Sequence, residues 1–287
     1  MTDQFQQNRG LLFTVAYEML GSVADAEDVV QDTWLRWSAA DRADVAEPKA
    51  FLVRIATRLA LNRLRTLRAR KETYVGPWLP EPLMTGADAA SEVELTEEVS
   101  MAMLVVLETL SPVERAVFVL REVFGFPYAE IAKVLDRSEP SVRQVAHRAR
   151  EHVQARRPRF DADPEQRREV TERFLRACLE GDMAALLEVL APEVVMVNDA
   201  DGKARAARRP IVGAAKVARF ALGIIGKGEL DGFQFGFVEL NGEPGIVLWS
   251  AERVEAAALV ETDQGRVTRL LVFRNPDRMR GLLCAGS

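Results

Sequence analysis

Residues 127–154 read PYAEIAKVLDRSEPSVRQVAHRAREHVQ, and this stretch decides the fold of the middle of the chain. Its apolar residues recur at helical spacing on both sides of a polar break at Asp136-Arg137-Ser138. Pro140 suits the first turn of the second helix, where a missing N–H costs nothing, and Ser138 can cap the helix end. The apolar residues are Ile131, Ala132, Val134 and Leu135 before the break and Val142, Val145, Ala146 and Ala149 after it. The pattern therefore predicts a helix-turn-helix.

The second helix of this motif leaves one face basic and rich in amide and hydroxyl groups. That face consists of Ser141, Arg143, Gln144, His147, Arg148 and Arg150. Arginine and glutamine form bidentate hydrogen bonds with base edges in the major groove, and other cations meet phosphate. The face predicts DNA binding. An ordinary helical hairpin with a solvated basic side is the alternative.

The overall charge argues against nucleic-acid binding over the whole surface. At 287 residues the chain suits two or three domains, and its formal net charge is −5. Within the first helical domain, however, an acidic stretch is followed by a basic one. A basic stretch without acidic residues contains Arg54, Arg58, Arg63, Arg65, Arg68, Arg70 and Lys71, and an earlier acidic stretch contains Glu18, Asp25, Glu27, Asp28 and Asp32. This predicts one surface for phosphates and another for a basic partner, although a solvated helix side also explains the acidic stretch.

Cysteine usage and hydropathy limit the kinds of site and the cellular location that the sequence allows. Cys178 and Cys284 are the only cysteines, and no CxxC pair occurs, which argues against a zinc site or a disulfide framework. Both thiols are expected to be buried, with redox sensing as the alternative. No apolar run approaches membrane-spanning length and no secretion leader is recognisable, so a cytoplasmic protein without a membrane partner is expected.

Breaks in the helical pattern predict four segments. Residues 1–72 and 94–157 form helical domains, residues 73–93 a linker, and residues 165–287 a third domain. The linker contains Trp78-Leu79-Pro80-Glu81-Pro82, whose prolines favour an extended backbone. Because a flexible spacer has little use for a tryptophan, this segment is expected to dock on a folded surface. A disordered spacer with one stray aromatic residue is the alternative.

The third segment differs in kind from the rest. Residues 165–190 predict two helices separated by Gly181-Asp182, and residues 214–225 predict another. Strand-like runs lie near residues 194–197, 233–240, 245–251, 254–260 and 267–274, with turns at 199–203, 241–242 and 263–265. Helices followed by hairpin-connected strands predict an α+β domain with a curved antiparallel sheet. The fold class is therefore multidomain, with two all-α modules before this domain.

Three stretches carry a resemblance to a known family. They are ADAEDVVQDTW at residues 24–34, PKAFLVRIATR at 48–58 followed by Asn62, and LSPVERAVF at 110–118 with the helix-turn-helix after it. Through residues 8–155 the chain resembles sigma factors of the extracytoplasmic-function group within the sigma-70 superfamily. The resemblance implies two partners, core RNA polymerase and promoter DNA.

The resemblance also assigns residues to each task. For polymerase binding it implies Asp25, Asp28, Gln31, Asp32 and Trp34; for the minus-ten element, Arg54, Arg58, Asn62, Arg63 and Arg65; and for the minus-thirty-five element, Ser141, Arg143, Gln144, His147 and Arg148. The chemistry agrees, since a helix that captures single-stranded DNA needs cations for phosphates and a polar pocket for an unstacked base.

The third domain resembles SnoaL-like members of the nuclear-transport-factor-like superfamily, which a subset of these sigma factors carries as an in-cis regulator. The marks of that subset are residues 78–82, 199–203 and 275–279, with Ala200 and Asp201 where glycines are usual and Met279 where leucine is common. The implied regulatory residues are Trp78, Leu79, Pro80, Asp199, Asp201, Lys203, Asn275, Pro276 and Asp277. The domain is expected to pack on the linker and on residues 1–72.

The third domain is not expected to be an enzyme. Both histidines of the chain, His147 and His152, precede it, so the His–carboxylate pair usual for acid–base chemistry is missing, and no cofactor is predicted. A small-molecule ligand stays open, because Arg205, Arg208 and Arg209 can clamp an anion or pair with acidic side chains. The alternative function is a stand-alone, ligand-responsive DNA-binding regulator with a SnoaL-like sensor domain.

Overall fold

The computed structural model describes residues 3–40, 45–85, 100–156, 163–225, 232–250, 253–279 and 282. The chain forms two compact units. The first comprises Met1–Thr73 with Ser91–Arg157, and the second comprises Tyr74–Ala90 with Pro158–Ser287. Within the described ranges, none of the helices has the length and apolar character needed to cross a bilayer.

The first unit is entirely helical. It contains α1 (Asp3–Leu20), α2 (Val23–Ala39), α3 (Pro48–Glu72), α4 (Met101–Leu107), α5 (Pro112–Phe118), α6 (Tyr128–Leu135) and α7 (Glu139–Gln154), with a π-helical turn at Val119–Val123 after α5. Helices α1, α2 and α3 pack against one another, and α7 packs on α5 and α6. Helix α3 also contacts α5 and α6, so the two helical modules share one compact unit.

Side-chain caps set the helix starts. The Ser22, Ser111 and Ser138 hydroxyls each accept a hydrogen bond from the backbone N–H three residues later. Ser111 forms a reciprocal capping box with Glu114. Asp136 takes a left-handed backbone with φ of 54° and ends α6, which produces the turn between α6 and α7. The predicted helix-turn-helix is confirmed.

The second unit combines three helices with one mixed sheet. Helices α8 (Pro164–Glu180), α9 (Met183–Val189) and α10 (Ala214–Ile225) accompany β1 (Met84–Thr85), β2 (Leu190–Asp199), β3 (Ile211–Val212), β4 (Gln234–Leu240), β5 (Glu243–Trp249), β6 (Val254–Asp263) and β7 (Arg266–Phe273). The sheet order is β1-β4-β5-β6-β7-β2-β3. The α+β class and the hairpin turns at Asn241-Gly242 and Gln264-Gly265 are confirmed.

One pairing differs from the predicted antiparallel sheet. Strand β2 runs parallel to β7, whereas every other pair among the described strands is antiparallel. Parallel neighbours need a long connection, and here the chain passes through β3, α10 and three further strands before it returns beside β2. Short-range patterns carry no information about such a return.

The helices α8, α9 and α10 bury one core with the sheet. Its residues include Val170, Phe174, Cys178, Leu186, Leu190, Val217, Ile246, Val260 and Leu270. Cys178 is buried in this core, which confirms its expected apolar role, and the burial raises the pKa of its thiol to about 12. Cys284 lies outside the described residues.

Candidate functional site

Helix α7 presents the predicted DNA-reading face to solvent. Val142, Val145, Ala146 and Ala149 are buried, and Arg143, Gln144, His147 and Arg148 are exposed, with Ser141 half-buried. Arg143 Nη2 lies 2.5 Å from Glu139 Oε1, and its guanidinium lies 4.6 Å from the centre of the Tyr128 ring. Glu139 and a base edge would therefore compete for the N–H donors of Arg143.

The basic residues of helix α3 make different contacts from one another. Arg58 Nε donates to the Val134 carbonyl oxygen at 2.9 Å and Nη2 donates to that of Lys133 at 3.4 Å, which satisfies carbonyls at the C-terminal end of α6. Asn62 is exposed and accepts a hydrogen bond from Arg65 at 3.4 Å. Arg54 is exposed and lies over the Phe51 ring. Of the predicted minus-ten set, Arg58 thus contacts the helix-turn-helix in this structure.

Arg63 connects two predicted sets. Its Nε lies 2.6 Å from Asp25 Oδ1, and its Nη2 forms a second ion pair with Asp28. Burial opposes the charge on Arg63, but these carboxylates outweigh burial and raise its pKa above the ordinary value. A residue predicted to meet DNA therefore pairs with residues predicted to meet polymerase.

The predicted polymerase-binding residues differ in how far they are exposed to solvent. Gln31 and Asp32 are exposed on α2, and so is Asp28, whereas Asp25 is buried beneath them. Trp34 is half-buried, with its ring 5.0 Å from that of Phe5. Of the three aspartates predicted to bind polymerase, Asp28 and Asp32 are therefore exposed and Asp25 is not.

A buried arginine that the sequence did not single out joins the two helical modules. Arg115 Nε donates to the Glu18 carbonyl oxygen at 2.8 Å, and Nη1 lies 2.8 Å from Glu108 Oε1. Glu108 also pairs with Lys71 at the end of α3. Burial by itself would raise the pKa of Glu108, but Arg115 and Lys71 outweigh it and hold the pKa below its usual value. The pairing ties α5 and Glu108 to α1 and α3.

In the second unit, residues 74–85, here named the linker segment, lie on the α+β domain. Asp199 at the end of β2 accepts from the Leu79 N–H at 2.8 Å and from the Tyr74 hydroxyl. Arg278 Nη1 lies 2.9 Å from Asp199 Oδ2, with both side chains buried. Burial raises the pKa of Asp199 even beside Arg278. The ion pair therefore forms in a largely desolvated position.

Aromatic rings complete this cluster. The Arg278 guanidinium lies 3.7 Å from the centre of the Trp78 ring, and the Tyr74 and Trp78 rings meet edge to face with centres 4.7 Å apart. Arg278 Nε also lies 3.4 Å from Glu81 Oε1. Sequence reasoning named Trp78 and Asp199 but missed Arg278 and Tyr74, because local sequence does not show that Arg278 will be buried or that Tyr74 will contact Asp199.

The predicted regulatory residues surround this cluster. The Asp201 carboxylate accepts from the Val75 N–H at 3.1 Å, and Lys203 pairs with Asp277 and lies 3.6 Å from Asp201. Asp201 adopts φ of 50°, so it takes the backbone conformation that glycine would favour and the turn forms. The members Leu79, Pro80 and Asn275 are buried, and Pro276 and Asp277 are exposed.

The far end of the linker segment adds to the sheet. Strand β1 pairs with β4, matching Met84 with Leu240 and Thr85 with Glu239. Just before β1, the Asn241 side chain accepts from the Leu83 N–H at 3.0 Å, and the Asn241 N–H donates to the Leu83 carbonyl at 2.9 Å. The predicted docking of the linker thus includes a strand that the prolines had not indicated.

Comparison with known proteins matches the two helical modules to two separate family models. Residues 4–70 match Sigma-70 region 2, and residues 100–153 match Sigma-70, region 4. Over 97% of its length the chain is 40% identical to the ECF RNA polymerase sigma factor SigJ of Mycobacterium tuberculosis, covering 93% of that protein. The chain belongs to the extracytoplasmic-function sigma factors.

Two further similarities agree with this membership. The crystal structure of SigJ from Mycobacterium tuberculosis superposes with a TM-score of 0.78 at 36% identity, covering 98% of this chain and 99% of that one. The probable ECF sigma factor SigI of the same species is 36% identical over 68% of this chain and 69% of its own length. This sigma factor binds core RNA polymerase and directs initiation at promoter DNA. A stand-alone regulator would have no use for the region 2 module at residues 4–70.

Proposed function

We propose that the C-terminal domain regulates this sigma factor in cis by holding the linker segment. The observation that carries the proposal is the buried ion pair between Asp199 and Arg278, which binds both ends of the Tyr74–Leu79 stretch. The linker segment begins two residues after α3 ends and lies between the region 2 and region 4 modules in the chain. A domain that holds this segment limits how far the modules can separate. Packing of the domain on residues 1–72 stays a prediction.

Physical chemistry favours an ordered linker segment. Burial of an aliphatic side chain such as Leu79 or Leu83 contributes roughly 1.5–3 kcal/mol relative to leaving it in water. Pro77, Pro80 and Pro82 already restrict the backbone, which lowers the entropy lost on docking. The Leu79 and Val75 N–H groups find carboxylate acceptors on the domain. The segment is thus bound by its backbone as well as by its side chains.

The domain's role in this proposal is non-catalytic. The buried carboxylate of Asp199 already binds Arg278, the Leu79 N–H and the Tyr74 hydroxyl. Asp201 accepts from Val75 and faces Lys203. Acid–base chemistry needs a carboxylate that can reach a substrate proton, and these two have structural partners instead.

In the helical unit, we assign the exposed α2 residues to polymerase and the α3 and α7 residues to DNA. Gln31 and Asp32 have the exposure that polymerase binding needs. Gln144 and Arg148 are exposed on α7, which suits base and phosphate contacts, respectively. Arg58 must leave the Val134 and Lys133 carbonyls before it can meet DNA. Promoter binding is therefore expected to separate α3 from α6.

Two truncations test the regulatory proposal. Removing residues 276–287 deletes Arg278 and should release the linker segment while leaving the rest of the domain, so promoter output should rise. Removing everything after about residue 159 also removes the surface that orients the linker segment, so output should fall. A chain ending at residue 282 retains Arg278 and serves as the control. The measurement is run-off transcription with core enzyme at matched protein abundance.

The outcomes show whether the C-terminal domain regulates this factor and at which step it acts. If both truncated chains transcribe like the intact one, the C-terminal domain does not regulate this factor. Core-polymerase pull-down of each chain shows whether altered output comes from altered polymerase binding or from a later step.

A further inference from the structure

Two adjoining cavities lie in the C-terminal unit beside α10. The larger, about 330 Å³, is lined by Arg205, Ala206, Ala207, Arg219, Phe220, Gly223 and Ile224. The smaller, about 210 Å³, shares Arg205, Ala206 and Ala207 and adds Arg208 and Asn198. The larger cavity alone falls within the size range of small-molecule sites.

The charged residues that line these cavities are all arginines. Arg205 and Arg219 line the larger cavity and Arg205 and Arg208 the smaller, and no described lining residue is acidic. In the described part of the chain, neither Arg208 nor Arg219 has an acidic side chain within ion-pair distance. Guanidinium groups bind carboxylate and phosphate through paired N–H donors. The cavities therefore attract an anion.

A buried amide points to the same conclusion. Asn198 is only 3% exposed, lines the smaller cavity, and its Nδ2 has no hydrogen-bond acceptor among the described residues. A buried donor without an acceptor costs free energy, so such groups call for an explanation such as a ligand. Arg274 Nη1 donates to the carbonyl oxygen of Arg205, which lines both cavities, at 3.4 Å.

The larger cavity also has an apolar lining. Phe220 and Ile224 lie one turn apart on α10, and Ala206 and Ala207 line the same cavity. Arginines, an unpaired donor and apolar side chains in two adjoining cavities suit a molecule that has both an anionic group and an apolar body.

We propose that these cavities form a binding site for a small organic anion, with a carboxylate or phosphate group toward Asn198 and the arginines and an apolar body along α10. Val75 of the linker segment also lines the smaller cavity. A bound anion would therefore touch the linker segment directly.

Calorimetric titration of the full chain tests the site with three probes of similar shape. Benzoate and phenyl phosphate carry the two anionic groups, and benzamide is the neutral control. Saturable binding of at least one anion, without binding of benzamide, is expected. The better of the two anions identifies the head group. If neither anion binds at millimolar concentration, or benzamide binds equally well, the proposal is wrong.

Substitutions localise the binding. Arg219→Gln should weaken the affinity for the anion at least tenfold, whereas Arg176→Gln, which changes an exposed arginine of α8 outside both linings, should leave that affinity unchanged. Asn198→Leu removes the unpaired amide, so it should raise the Tm. The same substitution should weaken the affinity for the anion at least tenfold. A purely structural Asn198 would lower the Tm on substitution and leave binding intact. Equal affinity in the wild type, Arg219→Gln and Asn198→Leu would overturn the proposal.

Discussion

Replacing Arg278 by methionine should release the linker segment from the C-terminal domain. Methionine retains much of the volume of the side chain but removes the charge that lies 2.9 Å from Asp199 and 3.4 Å from Glu81. Arg278 and Asp199 are 5% and 3% exposed in their side chains, so solvent screens the pair very little. Breaking a buried pair typically costs about 3–5 kcal/mol because a buried charge is left without its partner.

The cost should appear locally as lost hydrogen-exchange protection of the Leu79 amide. That N–H donates to the same Asp199 oxygen that faces Arg278. If opening of the linker segment governs exchange, a loss of about 3–5 kcal/mol lowers the protection on the order of 100- to 4000-fold. Arg253→Met is the matched control, because it breaks an exposed pair with Glu255 on the same unit and should cost less than about 1 kcal/mol.

The penalty should also depend on pH. Burial already raises the pKa of Asp199, and loss of Arg278 raises it further above the unfolded value of about 3.9. A carboxyl with a raised folded pKa supports the fold while protonated and loses that contribution as pH rises through the folded pKa. The variant should therefore be weakest at pH 8 and recover partly toward pH 5. Unchanged Leu79 protection, or an equal loss at both pH values, would refute this account of the ion pair.

Three further outcomes are expected. Arg143→Ala should weaken binding to the cognate upstream element by on the order of 1–3 kcal/mol and scrambled duplex far less, whereas Arg148→Ala should weaken both alike and flatten the salt dependence; equal losses on both duplexes for both variants contradict the assignment. Arg58→Ala should reduce open-complex formation more than polymerase binding, and unchanged permanganate footprints would place that role elsewhere on α3. Burial, opposed by Arg269 and reinforced by Glu243, raises the pKa of Glu261 to about 7, so its contribution to stability is lost as pH rises from the unfolded value through about 7. Glu261→Gln should therefore stabilise β6 at pH 8 by at most about 3 kcal/mol and have little effect near pH 5, measured by hydrogen exchange; the same gain at both pH values would exclude the carboxylate charge as its cause.

Side-chain pairing shows where sequence reasoning reaches its limit. Arg63 and Arg58 belong to one basic run and to one predicted minus-ten set, yet Arg63 pairs with Asp25 and Asp28 while Arg58 meets the end of α6. Charge patterning shows that a surface is basic, but the neighbours of each cation depend on which helices pack beside it. The same holds for Arg115, whose sequence neighbourhood does not show that it will be buried against Glu18 and Glu108.

Local sequence was sufficient for the helix-turn-helix, the capped helix starts and the Asn-Gly hairpin. These features depend on interactions over a few residues, such as the Ser138 cap three residues before the N–H it accepts from, and a short-range pattern specifies them. Residue motifs were likewise sufficient for the two sigma modules and the α+β class of the third domain.

The parallel β2–β7 pair, the added strand β1 and the partners of Arg278 emerged only in the folded chain. Asp199 and Arg278 lie 79 residues apart and Glu81 and Arg278 lie 197 apart, so no local pattern connects them. Their meeting follows from the return of β7 parallel to β2, which brings the C-terminal ends of the two strands side by side. Burial then turns ordinary charged residues into an obligatory pair, because a charge removed from water is tolerated only beside an opposite one.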